Sequence, residues 1–330
     1  MFKILFFNLL IMGTLISISS FNWLGMWMGL ELNLLSFIPL MMTNNNLTSE
    51  ASLKYFIIQV FASMLIISSF LINSSFYPLI DSFNNNTQLI LNTGFLLKMG
   101  AAPFHFWFPE IIEGLDWLLT LTLLTWQKIA PMILISYNSN FILLIFSIFS
   151  CLIVSSINGW NQTSMKKILT FSSINHIGWM LALLLINQSI WLIYFLFYTL
   201  LTFSLILIFN LFNITFLNQI IKMMNNNKLL KLSFFLIFFS LGGLPPFMGF
   251  LPKWIAMFNL MQSQYIFLIF FMVTLTLLTL YYYIRTMLQA LLLTNQSKPM
   301  FNSTNYFMAY MLNFFNFSLL ISFTFMMNQL

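Results

Sequence analysis

The sequence contains very little charge. Twelve Lys and Arg and six Asp and Glu make up 5% of its 330 residues, whereas 60% are hydrophobic and the mean hydropathy is +0.93. A soluble domain carries about 25% charged residues. The composition therefore excludes a soluble globular domain and indicates an integral membrane protein.

The chain is also poor in side chains that hold cofactors. It has one cysteine, Cys151, and two histidines, whereas an iron–sulfur cluster needs about four thiolates and a zinc site about four ligands. A G-x-G-x-x-G fingerprint, a P-loop and an H-E-x-x-H motif are likewise missing from the sequence. We therefore expect no redox cofactor, nucleotide or metal on this chain. The net charge of +6 comes from scattered residues and does not indicate nucleic-acid binding.

Apolar stretches of roughly 20 residues recur along the chain, which is the length an α-helix needs to cross a bilayer. A membrane β-barrel would show alternating segments of about 10 residues instead. The stretch 1–20 has the composition of a signal peptide, but it lacks an A-x-A-like cleavage site and leads straight into another span, so we interpret it as a retained helix. The prediction is an all-α, polytopic membrane protein of about eleven transmembrane helices. They are predicted near 3–20, 22–42, 51–73, 87–103, 115–137, 139–157, 166–186, 189–215, 230–258, 263–293 and 304–327.

Basic residues concentrate in alternate loops. Lys and Arg in loops face the compartment of synthesis, so we expect the N-terminus on that side and the C-terminus opposite. One loop on the same side is acidic, with Glu110, Glu113 and Asp116, but the rule counts only basic residues. The basic residues assigned to this side are Lys3, Lys54, Lys166, Lys167, Lys222, Lys228, Lys231, Arg285 and Lys298.

Two spans contain Gly and Pro next to a lysine. The fourth span reaches Pro103 five residues after Lys98, and the ninth holds Pro245 eight residues before Lys253. Pro and Gly weaken helices, and paired interrupted helices often mark the transport site of a transporter built from two repeats. We therefore predict broken helices near Pro103 and Pro245 within inverted five-helix repeats. The predicted divisions of this single domain are about 1–137, 139–293 and a final helix 304–327.

Four charged residues lie deep inside predicted spans: Glu31, Lys98, Lys128 and Lys253. Each such charge costs roughly 2.5–3.5 kcal/mol on insertion scales. A buried lysine can lose and regain a proton near neutral pH, which arginine cannot. These side chains are therefore predicted to form a proton path. Static ion pairs that hold helices together are the alternative.

Other polar and aromatic residues have weaker interpretations. His105 follows the Pro103 break and His176 lies among serines in the seventh span, so both are candidates for the relay, although a buried histidine can simply satisfy a hydrogen bond. Lys54, Arg285 and Lys298 lie near span ends, where lysine and arginine extend toward water. Trp23, Trp27 and Tyr281, Tyr282 and Tyr283 are interpreted as interfacial anchors or packing residues.

Several stretches together resemble one family. The combination spans residues 1 to about 290 in order and resembles the subunit-2 family of mitochondrial NADH:ubiquinone oxidoreductase (respiratory complex I). More widely, it resembles the antiporter-like subunits shared with bacterial cation/proton antiporters. The abundance of Phe and Met is similar to that of arthropod mitochondrial genes. The stretches are W-M-G-L-E-L-N around Glu31, E-A-S-L-K-Y-F from Glu50, L-K-M-G-A-A-P-F-H-F-W-F-P-E from Leu97, S-S-I-N-H-I-G-W from Ser172 and G-G-L-P-P-F-M-G-F-L-P-K-W from Gly242.

The resemblance implies a proton-translocating subunit of the membrane arm, coupled to redox chemistry in other subunits. It pairs Glu31 with Lys98, makes Lys128 a central connector and places Lys253 at the far end of a hydrated axis that includes His105 and His176. NADH, FMN, iron–sulfur clusters and ubiquinone are expected on other subunits.

The implied partners are adjacent antiporter-like and small membrane-arm subunits, and phospholipids. The implied location is the mitochondrial inner membrane, with the N-terminus in the matrix and the C-terminus in the intermembrane space. A free-standing cation/proton antiporter subunit and a purely structural membrane subunit are the alternatives.

Overall fold

The computed structural model describes residues 2–43, 45–75, 81–224, 228–245 and 247–292. In these ranges the chain is helical, with one isolated bridge between Ser164 and Phe216 and no named strand. The helices are α1 (Phe2–Ser19), α2 (Trp23–Met41), α3 (Asn46–Ser75), α4 (Asp81–Met99), α5 (Trp107–Gly114), α6 (Trp117–Leu124), α7 (Trp126–Tyr137), α8 (Phe141–Asn158), α9 (Met165–Leu184), α10 (Gln188–Phe212), α11 (Leu217–Met224), α12 (Lys228–Gly242), α13 (Phe250–Gln262) and α14 (Ile266–Leu292).

Seven segments in the described part of the chain are long and apolar enough to cross a bilayer. Since all of them are helical and none forms a strand, the chain is a polytopic, all-α membrane protein. The count of about eleven spans stays a prediction, and its last member, 304–327, lies outside the described residues. The seven segments are Phe2–Ser19, Trp23–Met41, Asn46–Ser74, Trp117–Tyr137, Phe141–Asn158, Gln188–Phe212 and Ile266–Leu288.

The predicted interruptions fall in different places along the helices. In the fourth predicted span, α4 is continuous and ends at Met99, before Pro103. In the ninth, α12 and α13 are separated by residues 243–249. A third interruption, at Thr125 between α6 and α7, was not predicted because no Gly or Pro precedes it in this span.

The chain divides into two compact units, Met1–Cys151 and Leu152–Leu330, called here the N-terminal unit and the C-terminal unit. In the N-terminal unit α2 packs against α1 and α3, and α4 packs against α3 and α7. In the C-terminal unit α9 contacts α10, α13 and α14. Every residue of α9 except Lys166 and Lys167 is buried, including its hydroxyl, amide and imidazole side chains. The predicted repeat boundary near 137–139 stays a prediction.

The sidedness predicted from the basic residues also stays a prediction. Lys298 lies outside the described residues, and so do the side chains of Lys222, Lys228 and Lys231.

Candidate functional site

The N-terminal unit brings an acidic and a basic side chain together between its helices. Lys98 lies in the last turn of α4 and Glu31 lies near the middle of α2, with 4.0 Å between Nζ and Oε1. These side chains are only 4% and 21% exposed. Among the described residues, none donates a hydrogen bond to the buried Oε1 of Glu31. The two groups are thus at the outer limit of an ion pair, and the carboxylate keeps the capacity to accept a further hydrogen bond.

Small residues fix the position of the helix that carries Glu31. A Cβ atom on Gly29 would lie 2.5 Å from the Ser17 nitrogen, and one on Gly13 would lie 2.8 Å from the Asn33 nitrogen. The α1 and α2 backbones therefore approach closely, as they do in membrane helix pairs with small residues at the interface. Larger side chains at either glycine would push α2 away from α1.

A side-chain hydrogen bond connects α2 with α7. The Gln127 amide donates to Oδ1 of Asn33 over 2.8 Å, and Asn33 is buried. Asn33 lies two residues after Glu31, and Gln127 directly precedes Lys128. The bond therefore connects the backbone segments that carry two of the predicted relay residues.

The end of α4 is capped by glycine next to Lys98. Gly100 has φ +70°, the amide of Gly100 donates to Leu97 O (3.1 Å) and the amide of Ala101 donates to Leu96 O (3.0 Å). This is the Schellman pattern, in which a left-handed residue satisfies the last helical carbonyls. The carbonyl of Lys98 accepts from the Gln59 amide over 3.2 Å.

The loop after α4 is held by α8 and contains His105. The Ala102 amide donates to Cys151 Sγ (3.2 Å), and its carbonyl accepts from Ser150 Oγ (2.9 Å). His105 is buried, with Nδ1 3.2 Å from the Pro103 carbonyl and its ring 4.3 Å from that of Phe106. These contacts of His105 are thus with residues of its own loop.

Lys128 is almost completely buried at the start of α7, immediately after the Thr125 interruption. Its side chain is 1% exposed, and Nζ lies 5.5 Å from the centre of the Phe108 ring. This geometry allows a cation–π interaction, which strengthens when the cation is desolvated. Phe108 also lies against Gly100, where an added Cβ would be 3.1 Å from the ring. The α4 cap and the Lys128 contact therefore share one aromatic side chain.

In the C-terminal unit, Lys253 contacts the end of a helix. Its Nζ donates to the carbonyl of Gly242, the last residue of α12, over 2.9 Å. Gly243 has φ +77° and the same capping pattern as Gly100. The Gly243 amide donates to the Ser240 carbonyl (3.0 Å), and the Leu244 amide donates to the Phe239 carbonyl (3.2 Å). A helix C-terminus carries partial negative charge, so it stabilises a cationic amine. Lys253 is 5% exposed.

His176 lies on buried α9 and is bonded to a tyrosine. Its Nδ1 is 2.9 Å from the hydroxyl of Tyr194, and its ring is 5.1 Å from that of Tyr198. Both tyrosines belong to α10 and are 1% exposed. An imidazole next to a hydroxyl can exchange the proton of that hydrogen bond.

A cluster of buried hydroxyls surrounds this part of α9. The hydroxyl of Tyr198 lies near Ser173, and that of Tyr283 of α14 lies near Ser172. Tyr282 donates to the hydroxyl of Tyr283 over 3.3 Å. Hydroxyls both donate and accept, so such a cluster can conduct a proton by successive exchange.

Sequence reasoning missed several of these contacts. The Asn33–Gln127 bond and the two bonds to Ala102 depend on which helices pack together. Tyr281 is 51% exposed, as an interfacial anchor would be, whereas Tyr282 and Tyr283 are buried. The available signal was the presence of polar side chains in apolar spans, since each is costly to bury without a partner.

Residues 20–279 match the family model described as NADH:quinone oxidoreductase/Mrp antiporter, TM. Over 309 residues the chain is 50% identical to NADH-ubiquinone oxidoreductase chain 2 of Anopheles gambiae, covering 92% of this chain and 89% of that relative. The chain belongs to the NADH-ubiquinone oxidoreductase chain 2 family. The chain 2 family member of Aedes aegypti is 51% identical over 284 residues, covering 85% of this chain and 83% of the relative. The resemblance inferred from the sequence motifs is thereby confirmed.

The fold of the chain 2 family is also found in a solved structure. A chain of respiratory complex I from Thermus thermophilus with bound Aureothin superposes with a TM-score of 0.85 and 21% identity. The match covers 97% of this chain and 78% of the other. At this identity the likeness shows a shared fold.

Proposed function

We propose that this chain is a proton-translocating subunit of the membrane arm of NADH:ubiquinone oxidoreductase, respiratory complex I. The observation that carries the proposal is the 4.0 Å contact of Glu31 with Lys98 in a family member whose other lysines at membrane depth are also buried. Glu31, Lys98, Lys128, Lys253, His105 and His176 are the proposed relay. NADH, FMN, the iron–sulfur clusters and ubiquinone belong to other subunits.

The Glu31–Lys98 pair provides the switch. Two unit charges 4 Å apart interact by about 4 kcal/mol at an effective dielectric constant near 20. When charge movement elsewhere in the complex separates the pair, Lys98 loses this stabilisation and its proton becomes easier to release. An energy of this size is sufficient to move a proton toward Lys128 and then Lys253. The buried Oε1 of Glu31 supports this role, because it can accept a replacement donor when Lys98 withdraws.

Neighbouring subunits complete the path. The chain has no Asp or Glu after Asp116, so any carboxylate that pairs with Lys253 belongs to the N-terminal unit or to another subunit. Adjacent antiporter-like and small membrane-arm subunits are the proposed partners. The proposed location is the mitochondrial inner membrane, with the N-terminus in the matrix and the C-terminus in the intermembrane space.

The test replaces Lys253 by methionine, which keeps the length of the side chain and removes its charge. The control is Lys54→Met, since Lys54 is 42% exposed and pairs at 2.9 Å with Glu50 and Glu110 at the surface. In inner-membrane vesicles, K253M should strongly lower proton uptake per NADH oxidised, or the coupled oxidation rate itself, whereas K54M should keep both. Equal activity of the two variants in fully assembled complex would contradict the relay.

A free-standing antiporter is the second candidate, since the matching family model also describes Mrp antiporters. Sodium gradients distinguish the two functions. Transport that requires sodium and proceeds without NADH-oxidising subunits would favour the antiporter.

A further inference from the structure

A cavity of about 400 Å³ lies among the loops at one end of the C-terminal unit. Its wall includes residues of the 159–163 loop, residues 216–218 and the part of α14 that carries Arg285. Backbone bonds tie the two loop segments together: the Met165 amide donates to Thr215 O (2.9 Å) and the Leu217 amide donates to Thr163 O (3.2 Å). The cavity is therefore a fixed part of the fold.

Arg285 supplies a cation to this cavity. Its Nη1 donates to the Trp160 carbonyl over 2.7 Å, which orients the guanidinium in the wall. A guanidinium has five N–H donors in a planar fork that matches phosphate oxygens. One bond to a carbonyl leaves most of that fork available for an anion.

The surrounding charge is of one sign. The C-terminal unit contains eight lysines and arginines and no aspartate or glutamate, whereas the N-terminal unit contains four lysines and all six carboxylates. Lys166 and Lys167 follow the lining residue Thr163 at the start of α9. The C-terminal unit therefore has no acidic side chain of its own to pair with Arg285, and an anionic ligand would be complementary to this charge.

The rim of the cavity is aromatic and exposed. Trp160 and Tyr281 form an edge-to-face pair with centres 5.3 Å apart, and they are 45% and 51% exposed. Phe216, in the opposite loop, is 52% exposed. Trp and Tyr are enriched at the level of lipid headgroups. A ligand that is anionic at one end and apolar at the other fits both the Arg285 wall and this rim.

We propose that this cavity binds the phosphodiester headgroup of an acidic phospholipid, with Arg285 as the anion-binding residue and Trp160, Tyr281 and Phe216 beside the acyl chains. Free phosphate shares the anionic group, but it has no apolar part to cover the rim. Basic pockets between membrane helices bind acidic headgroups by the same combination of charges and apolar surface. This inference does not depend on the proton relay.

The test uses the intact complex in bilayers that contain a photoactivatable phosphatidylglycerol with its reactive group near the phosphate. Cross-linked peptides are identified by mass spectrometry. We expect labelling of peptides that contain residues 159–168, 213–218 and 281–286. Arg285→Gln should lower this labelling about fivefold, the factor for one cation near an acidic headgroup, while Arg285→Lys should keep most of it. Lys3→Gln, which removes an exposed cation of the N-terminal unit, is the matched control and should not change it.

Two competition arms use the unchanged protein, so they decide the matter even if a variant fails to assemble. Excess unlabelled phosphatidylglycerol should abolish the labelling, whereas inorganic phosphate should not. Full competition by inorganic phosphate would show a soluble-anion site and overturn the proposal. Equal labelling by a phosphatidylcholine analogue, or unchanged labelling of Arg285→Gln, would also overturn it.

Discussion

Each unit has a buried lysine beside the end of a helix, but the two lysines have different partners. Both α4 and α12 are followed directly by a left-handed glycine, Gly100 with φ +70° and Gly243 with φ +77°. In the N-terminal unit Lys98 faces a carboxylate at 4.0 Å, whereas in the C-terminal unit Lys253 donates to the Gly242 carbonyl at 2.9 Å. One lysine therefore has a titratable partner, and the other has a fixed dipole.

The two partners differ in whether their attraction for the lysine can change. A carboxylate can gain a proton or move away, so its attraction for Lys98 can be removed and restored. A helix-end carbonyl keeps its partial charge under all conditions. In the proposed relay the N-terminal unit would therefore change the proton affinity of Lys98 through its own carboxylate, whereas the C-terminal unit has no acidic side chain that could do the same for Lys253.

Neutralising Glu31 is expected to have the largest effect and gives the strongest test of the difference between the two units. Glu31→Gln leaves Lys98 without its anion, and loss of one partner of a buried pair costs about 3 kcal/mol. We expect a large fall in the amount of assembled complex and in its thermal stability. The double variant Glu31→Gln with Lys98→Met should recover assembly without recovering proton uptake. Recovery of both would reduce the pair to a structural contact.

A smaller effect on stability is expected for Lys253→Met. No acidic side chain of its own unit is left unpaired, and the loss is one hydrogen bond from a charged donor, about 2 kcal/mol. The melting temperature of the complex should therefore fall less for K253M than for Lys98→Met, which leaves Glu31 without a cation. If K253M proves the more damaging of the two, the contrast between the units is wrong.

The glycine caps offer a more local test. Gly243→Ala places a side chain in the left-handed region at a cost of about 1.5 kcal/mol, and its Cβ would lie 2.7 Å from Cδ of Lys253. We expect lower thermal stability together with reduced proton uptake. Gly242→Ala is the control, because an added Cβ there meets its nearest atom at 3.5 Å, in ordinary contact. Similar behaviour of the two variants would mean that the cap does not position Lys253.

The smallest effect concerns the hydroxyl cluster. Tyr283→Phe removes one buried hydroxyl that accepts a hydrogen bond from Tyr282, at a cost of about 1 kcal/mol. If the cluster conducts protons, the solvent deuterium isotope effect on proton uptake should change as well. Tyr281→Phe, in the exposed neighbour, should leave both measurements unchanged. An unaltered isotope effect in Y283F would limit the cluster to packing.

The sequence predicted which charged side chains lie among the helices better than it predicted their contacts. Charged residues within apolar spans are costly to bury and easy to recognise in the sequence. This is why the sequence identified Glu31, Lys98, Lys128 and Lys253. The sequence could not predict that Lys253 donates to the Gly242 carbonyl, since every residue has a backbone carbonyl. The Thr125 interruption escaped for a similar reason, because no Gly or Pro marks it. Apolar length predicted helices reliably, but the lengths of α3 and α4 depend on contacts that one sequence does not display.

The hydrogen bond between Asn33 and Gln127 connects α2 with the start of α7. Glu31 lies two residues from one end of this bond and Lys128 lies next to the other. Any displacement of α2 that draws the carboxylate away from Lys98 must stretch the bond or carry the beginning of α7 with it. If the bond holds, the displacement also moves Lys128 relative to the Phe108 ring, so the contact of Lys98 with Glu31 and the contact of Lys128 with Phe108 would change together.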